Sequence, residues 1–545
     1  MKSSLSVPAG AANASAAVRP AGLSALYANP LPWLIALAAA HVAVRVAISP
    51  VLKWDEAEQM LWAQHLALGY GPQPPLYTWL QWGVNQLFGP SVLALALLKF
   101  PLMALAYVFM WLAGRELLDR RAAWWAAGSL CLLPPFGWYA ISDLTHTVLV
   151  TAMACGAWWL LLRIVRRSGN GCQREFIALG LVCGCGMLAK YSFALMLAAA
   201  VVALLSVRGP RRALFGRGWW WAALIGLALF APHGWWLLEH WRAATAETVR
   251  VMSIAPRHAW GVGLSDLLEE ICYTLALWAI VALAAFGARW WRRPEPAPEI
   301  PGWPAAWLRP VLRRYLAVIA IVLLAMVFVA NVTVFKNRWM LPLLLPVPLM
   351  AFALRPELDA DQRGGKRFAV TTLALALLAL LAAAAQPWFA YADGRPHPFN
   401  YPVAQLEQAL HKAGYDGRGR IIAADHLLAG MLRTRFPAAP ANSCHTGQGG
   451  VADVADCVAA NVQMAERAGQ GWLLISFDGR AESGWWEQAL ARIPGGDALP
   501  RERLSLPFLM VRHDQPPARY DFVWHPAAAA ASASPVLRAA TAAAQ

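Results

Sequence analysis

Apolar runs long enough to cross a bilayer recur between residues 31 and 388 of this chain, and they leave it few folds to adopt. About eleven runs are bounded by charge, at 31–52, 91–113, 122–142, 144–162, 175–189, 191–206, 218–238, 267–288, 312–334, 339–354 and 368–388. In lipid each backbone amide and carbonyl has to find its partner within the chain, so every run predicts a helix. The fifth and sixth are short and form a hairpin with Lys190 at its turn. Composition agrees: of 545 residues 59% are hydrophobic and only 14% charged, and the mean hydropathy is +0.44. Those values lie outside the soluble globular range. The 29 Trp suit two long water–bilayer interfaces, where the amphipathic indole settles. The first run has no persuasive cleavage site behind it, so it reads as a retained span and not a removed signal peptide.

Basic residues sort between alternate loops. RELLDRR (115–121), RIVRRSGNGCQR (163–174), VRGPRRALFGRG (207–218), ARWWRRPEPAPE (288–299) and RPELDADQRGGKR (355–367) carry many. The 53–90 loop, the 142–144 turn and the 233–266 loop carry far fewer per residue. The positive-inside rule puts the first set in the cytoplasm, with the N-terminus, and leaves the chain after about residue 389 outside. Most of the net charge of +15 is therefore topological, and no nucleic-acid partner is implied. No glycine-rich phosphate loop opens a helix, so nucleotide-driven transport has no support.

The expected organisation is a disordered cytoplasmic tail over 1–30, a membrane unit over 31–388, a small extracytoplasmic α/β unit over 389–526 and a low-complexity tail over 527–545. The α/β unit is read from the strand-like RIIAADH (420–426) and GWLLISFDG (471–479) and the helix-like AQLEQALHKAG (404–414). Its Cys444 and Cys457 are either disulfide-bonded in an oxidising compartment or two buried thiols. The other cysteines fall in or beside spans without metal-ligand spacing. The fold class is mainly α: a polytopic membrane protein with a small C-terminal α/β unit.

Ionisable residues gather at one side of these spans. Asp55, Glu56 and Glu58 follow the first span, and Lys99 lies early in the second. Asp143 and His146 sit at the third turn, and Lys190 at the hairpin. His233 and His240 end the seventh span, while Lys336 and Arg338 join the ninth to the tenth. Polar groups at such depth are costly and often mark a site or a water-filled cavity. Each has a plainer reading as well. Glu56 and Glu58 suit the first turn of an interfacial helix, and Asp143 suits an N-cap. Lys99, Lys336 and Arg338 suit snorkelling, and either histidine suits the interface. Asp55 alone has no evident need to be there for stability. The stretch after it reads as a flat interfacial helix that roofs a cavity, with Met60, Leu61, Trp62, Leu66 and Leu68 apolar and Gln59, Gln64 and His65 at the surface. Asp55 and Glu56 would point about 100° apart on it, whereas Asp55 and Glu58 share a face.

The stretch DEAEQMLWAQHLALGYGPQPPLYTWL (55–80) resembles the start of the polyprenyl-phosphate-sugar-dependent glycosyltransferases of the GT-C fold. It is most similar to family 39, with its protein O-mannosyltransferases and lipid A aminoarabinose transferases. FGPSVLALALLKFP (88–101), SDLTHTVLV (142–150), GMLAKYSFAL (186–195), APHGWWLLEH (231–240) and NRWMLPLLLP (337–346) continue the resemblance in the family's order, over residues 31 to about 350. The resemblance implies transfer of a sugar from a polyprenyl-phosphate donor to a lipid, glycan or protein acceptor, at the periplasmic face of a bacterial inner membrane. It implies Asp55 as catalytic base and Asp143 as a second acid serving the acceptor or a metal. Lys190 and Arg338, with Lys99 behind them, would face the donor phosphate. Glu56, Glu58, Gln73, His233 and His240 are secondary candidates. Many relatives have Lys, often preceded by Glu, where this chain has Pro72 and Gln73. That change leaves phosphate compensation to Lys99, Lys190 or Arg338 and removes a candidate ligand for a divalent metal. A good phosphate leaving group needs no strong general acid, so one carboxylate base suffices, and direct displacement would invert the anomeric centre. The alternatives are a lipid-linked sugar transporter or flippase, which the absence of an inverted repeat disfavours, and a non-catalytic envelope assembly protein.

Overall fold

The computed structural model describes residues 31–169, 171–252, 259–290, 305–394, 397–445, 454–511 and 515–527. The N-terminal tail, all but the first residue of the expected C-terminal tail, and most of the basic 288–299 loop lie outside them.

All eleven apolar runs are helical, but they differ in how far they reach. Seven helices among the described residues are long and apolar enough to cross a bilayer. Six of these are α1 (Leu31–Ile48), α4 (Val92–Leu117), α5 (Thr145–Arg166), α8 (Trp219–Glu239), α9 (Trp260–Phe286) and α12 (Gln362–Ala384). The seventh is α10 (Ala305–Phe328). The hairpin is α6 (Gln173–Ala189) followed by α7 (Ser192–Leu205), and α7 with the short helix after it is a candidate eighth span, bent by 115°. The remaining runs are broken where proline removes a backbone donor. The 122–142 run stops as a helix at Ser129 and re-forms as a π turn over Pro135–Tyr139. There a Cβ on Gly137 would stand 1.9 Å from the Cys131 carbonyl oxygen, so only glycine fits. The 339–354 run splits into α11 (Asn337–Leu344) and a helix over Pro346–Ala353. Helix α5 is the pillar of the bundle, with 89% of its central apolar window buried.

Two helices at one end of the bundle fall outside this pattern. The expected interfacial helix exists as α2 (Trp54–Trp62), and α3 (Leu76–Phe88) follows. Helix α2 is shorter than its sequence suggested, so Leu66 and Leu68 lie beyond it and are exposed.

The C-terminal region forms a five-stranded sheet in the order β2-β1-β3-β5-β4. Its strands are β1 (Arg420–Ala423), β2 (Ala441–Ser443), β3 (Trp472–Phe477), β4 (Glu502–Leu506) and β5 (Ala518–His525). β1 runs parallel to β2 and β3, while β5 is antiparallel to β3 and β4. Every residue of the central β3 is buried, as its continuous apolar run requires. A disulfide joins Cys444, just after β2, to Cys457 in the helix Val454–Arg467.

This unit packs directly on α2 through α13 (His426–Arg435). Val51, Leu52, Ala57, Met60 and Leu61 share one apolar cluster with Leu427, Leu428, Met431 and Leu432. The backbones nearly touch, since a Cβ on Gly430 would lie 2.6 Å from the Cα, Cβ and carbonyl oxygen of Ala57. Past the end of α2, Gln64 acts as a one-residue edge partner for β2. Its amide nitrogen donates to the Ala441 carbonyl at 2.7 Å, and its oxygen accepts from the Ala441 amide at 2.9 Å. Gly430→Ala is expected to cost ~1–3 kcal/mol by overpacking this contact. Its apparent unfolding temperature in detergent should fall, and limited proteolysis should release the C-terminal unit sooner than in wild type. An unchanged digestion pattern would show that the contact is dispensable.

Candidate active site

Helix α2 starts where the first span ends, and two carboxylates occupy its electropositive end. Glu56 Oε2 accepts from the backbone amide of Lys53 at 3.1 Å, and Asp143 Oδ1 accepts from that of Asp55 at 3.1 Å. Both satisfy orphan donors of the first turn and complement its dipole.

The turn then sorts its acids by angle. Glu56 points into the bundle and is fully buried. Arg45, the one cation inside α1, donates to it from Nε at 3.0 Å and from Nη2 at 2.5 Å. Lys99 adds a third contact from α4 at 3.2 Å. Burial alone would raise the Glu56 carboxyl, but Arg45 and Lys99 prevail and hold it at about 2. Lys99 Nζ also reaches the carbonyl oxygens of Ile141 and Asp143, both at 3.4 Å. Lys99 was expected behind the residues facing a donor phosphate and Glu56 among the secondary candidates; here Lys99 is bonded to Glu56, and neither lines the cavity that Asp55 faces. Each is committed to the other in a dry ion cluster. Gln59 was expected at the surface and is instead buried, bonded to His146 at 2.9 Å and to Thr78 at 3.0 Å.

Asp55 and Glu58 face the other way, into a cavity of about 360 Å³. Gln73, Lys190, Lys336 and Arg338 line the same cavity, with Trp54, Tyr191 and Trp339 at its walls. Arg338 Nη1 lies 3.5 Å from Asp55 Oδ1. Lys190 is buried and donates to Thr147 Oγ1 at 2.8 Å. Burial, with the Asp55 charge adding to it, pushes the Glu58 carboxyl well above the usual carboxylate range. Beyond this charged part the lining turns apolar, through Leu195, Leu323, Met326 and Leu343. Gln73 is held by a two-residue bridge whose amides and carbonyls pair with Tyr70 at 3.2 and 3.3 Å.

The remaining candidates stand further back. Asp143 is not among the residues lining the cavity; its carboxylate caps α2, and burial beside Asp55 raises its pKa. His233 stacks on Tyr191, bonds its hydroxyl at 3.2 Å and contacts the Leu68 carbonyl at 2.6 Å, so it braces a cavity wall. His240 is exposed and stacked on Trp236 at 4.9 Å, away from the site. Among the described residues, no three His, Cys, Asp or Glu side chains converge closely enough to hold a metal ion. Sequence reasoning passed over Arg45, although a lone arginine in an apolar span is a usable signal. It also missed Trp54 and Thr147, for which sequence carries no signal.

The comparisons with known proteins fit this geometry. Residues 72–236 match the family described as dolichyl-phosphate-mannose-protein mannosyltransferase. The lipopolysaccharide core galacturonosyltransferase RgtB of Rhizobium johnstonii is 32% identical over 421 residues, covering 75% of this chain and 82% of that protein. The chain belongs to this family of GT-C glycosyltransferases. A second member, the lipopolysaccharide core galacturonosyltransferase RgtA of the same organism, is 30% identical over 73% of this chain and 79% of its own length. The GT-C fold is also that of ArnT from Cupriavidus metallidurans, solved bound to undecaprenyl phosphate. That structure superposes with a TM-score of 0.57 at 14% identity, over 90% of this chain and 98% of its own. The protein is a multi-pass membrane glycosyltransferase, and family membership favours catalysis over transport or scaffolding.

Removing one member of the buried cluster strands the charges of the others, which costs ~3–5 kcal/mol for a buried pair. Glu56→Gln should therefore extract poorly from membranes and unfold at lower temperature, while Lys99→Met, which keeps the Arg45 pair, loses less. Asp55→Asn should behave as wild type in the same thermal assay. Equal losses in all three would erase the distinction between framework and site.

Proposed function

We propose that this glycosyltransferase moves a sugar from a polyprenyl-phosphate donor to the lipid A or core of lipopolysaccharide, with Asp55 as the base. The observation that carries this reading is one cavity holding two carboxyl side chains, Asp55 and Glu58, and three basic ones, Lys190, Lys336 and Arg338, with an apolar continuation. Such a lining matches an amphiphile with an anionic head and a hydrocarbon tail. The acceptor hydroxyl attacks the anomeric carbon and gives its proton to Asp55, while the bond from that carbon to the phosphate oxygen breaks. Charge then collects on the departing polyprenyl phosphate, where Arg338 and Lys190 stabilise it. Direct displacement inverts the anomeric centre. Glu58, one turn along the same face, has its carboxyl raised by burial and by Asp55, which makes Asp55 the better candidate for the base. The galacturonosyltransferase relatives favour a uronic acid as the sugar, and a third cation beyond those needed for a phosphate is consistent with its carboxylate.

The same reading places the site at the periplasmic face of a bacterial inner membrane. Charge asymmetry between the loops supports it, and so does the Cys444–Cys457 disulfide, a bond that persists in an oxidising compartment. In intact cells both thiols should resist maleimide labelling until a reductant is added, whereas immediate labelling would place the C-terminal unit in the cytoplasm.

Mass spectrometry of cells lacking the protein tests the chemistry. A polyprenyl-phosphate sugar should accumulate, and lipopolysaccharide should lose one sugar mass. Wild type should reverse both changes. Asp55→Asn should not, with transfer reduced by about 10²–10⁴ in membranes. Restoration by Asp55→Asn would remove Asp55 as the base. Arg338→Gln should lower the transfer rate by about 10².

A further inference from the structure

Trp54 stands at the seam between the two halves of the molecule. It is the first residue of α2, precedes Asp55, lines the cavity and is 42% exposed. Its ring continues into the C-terminal unit. His426 meets it edge-on at 5.7 Å, and the Arg480 guanidinium carbon lies 5.9 Å from its centroid. His426 is held by Ser443 Oγ at 2.9 Å and packs against His445, 4.7 Å away. His445 directly follows the bridged Cys444, so the disulfide anchors this wall. Beside it, Asp425 caps α13 through Oδ1, while its buried Oδ2 has no hydrogen-bond partner. The charge of Arg480 acts on Asp425, but no carboxylate comes within ion-pair distance of the guanidinium among the described residues; its Nε donates to the Tyr401 hydroxyl at 3.4 Å.

We propose that Trp54, Arg480 and His426 form the acceptor subsite, and that it takes a sugar carrying a phosphate or carboxylate. An exposed indole offers a flat apolar face to the C–H side of a pyranose. A guanidinium stacked on an aromatic ring keeps its N–H edge free for a bidentate anion contact. Burial, with His445 adding to it, holds the His426 ring at about 3, so it stands edge-on to Trp54 as a neutral positioning group and Arg480 supplies the charge. This subsite meets the donor cavity at Trp54, next to the base, which is where an acceptor hydroxyl has to arrive. The inference rests on the transferase reading above.

The test uses the full-length protein in detergent with polyprenyl-phosphate lipids from a deletion strain as donor. The acceptor is lipopolysaccharide from that strain, either intact or with its phosphates removed. Arg480→Gln should raise the acceptor KM about tenfold or more while leaving the donor KM within about twofold. Removing the phosphates should abolish that difference if phosphate is the group recognised. If carboxyl reduction abolishes it instead, the group is a uronate or another acidic sugar. His426→Gln should raise the acceptor KM less, and Arg480→Lys should be intermediate because it keeps charge without the fork. Arg480→Lys also carries the test should Arg480→Gln unfold. Unchanged acceptor KM in both arginine variants, or equal rises for donor and acceptor, overturns the subsite while the transferase reading stands. Wild-type protein that transfers nothing from the polyprenyl lipid overturns the transferase reading and the subsite together.

Discussion

The geometry of the site depends on a carboxylate that takes no part in the proposed chemistry. Glu56 receives Arg45 from α1 and Lys99 from α4, and its own Oε2 closes the first turn of α2. Lys99 extends the cluster to the carbonyls at 141 and 143, at the head of α5. Burying these charges is expensive, and well-packed apolar side chains of similar volume would serve stability as well or better. What apolar side chains would not supply is direction. Several donors aimed at two oxygens fix both the rotation of α2 and its height above the spans. Arg45 completes this by donating to the Ser49 and Val51 carbonyls at 2.9 Å, which ties down the turn between α1 and α2.

With that rotation set, the helical period does the sorting. One residue back from Glu56 and two residues on, Asp55 and Glu58 fall on the cavity side, while Gln59 returns to the bundle and pins His146. A run of acids that looks redundant thus divides into one framework residue and two cavity residues. Asp143 belongs with the framework by its contact: it presents its carboxylate to the Asp55 amide, so it positions Asp55 without lining the cavity.

This division marks where sequence stops being legible. The helices were readable because lipid forces apolar runs to satisfy their own backbones, and the strands 420–423 and 472–477 because short, continuously buried apolar runs bounded by glycine and polar residues leave few options. The involvement of Asp55, Glu58, Lys190 and Arg338 in one cavity was readable from their positions at the same ends of the apolar runs. The pairing of Lys99 with Glu56 was not legible, for a physical reason. A lysine in a span looks the same in sequence whether it snorkels, binds a ligand or pairs with a buried acid, and only the partner's position decides. The broken third run was hidden because hydropathy is blind to the prolines at 134 and 135 that end its helix. Arg480 and His426 were out of reach altogether, since their meeting with Trp54 spans more than 370 positions of chain.

Helix α2 is held from both sides, and this has a consequence for catalysis. Glu56 fixes it to α1 and α4 of the bundle whose other elements carry Lys190 and Arg338, while Gly430 and Gln64 fix it to the C-terminal unit that carries Arg480. On the proposed reading, the donor is positioned by the spans and the acceptor by the sheet. Displacement at an anomeric carbon requires the two to approach in line, and a misplacement of about 1 Å can cost about 10² in rate. A loosely tethered C-terminal unit would leave that distance to chance. Packing it backbone against backbone on the helix that bears the base makes both substrates register against one rigid element. The glycine at 430 is then as much a part of that alignment as any charged side chain in the cavity.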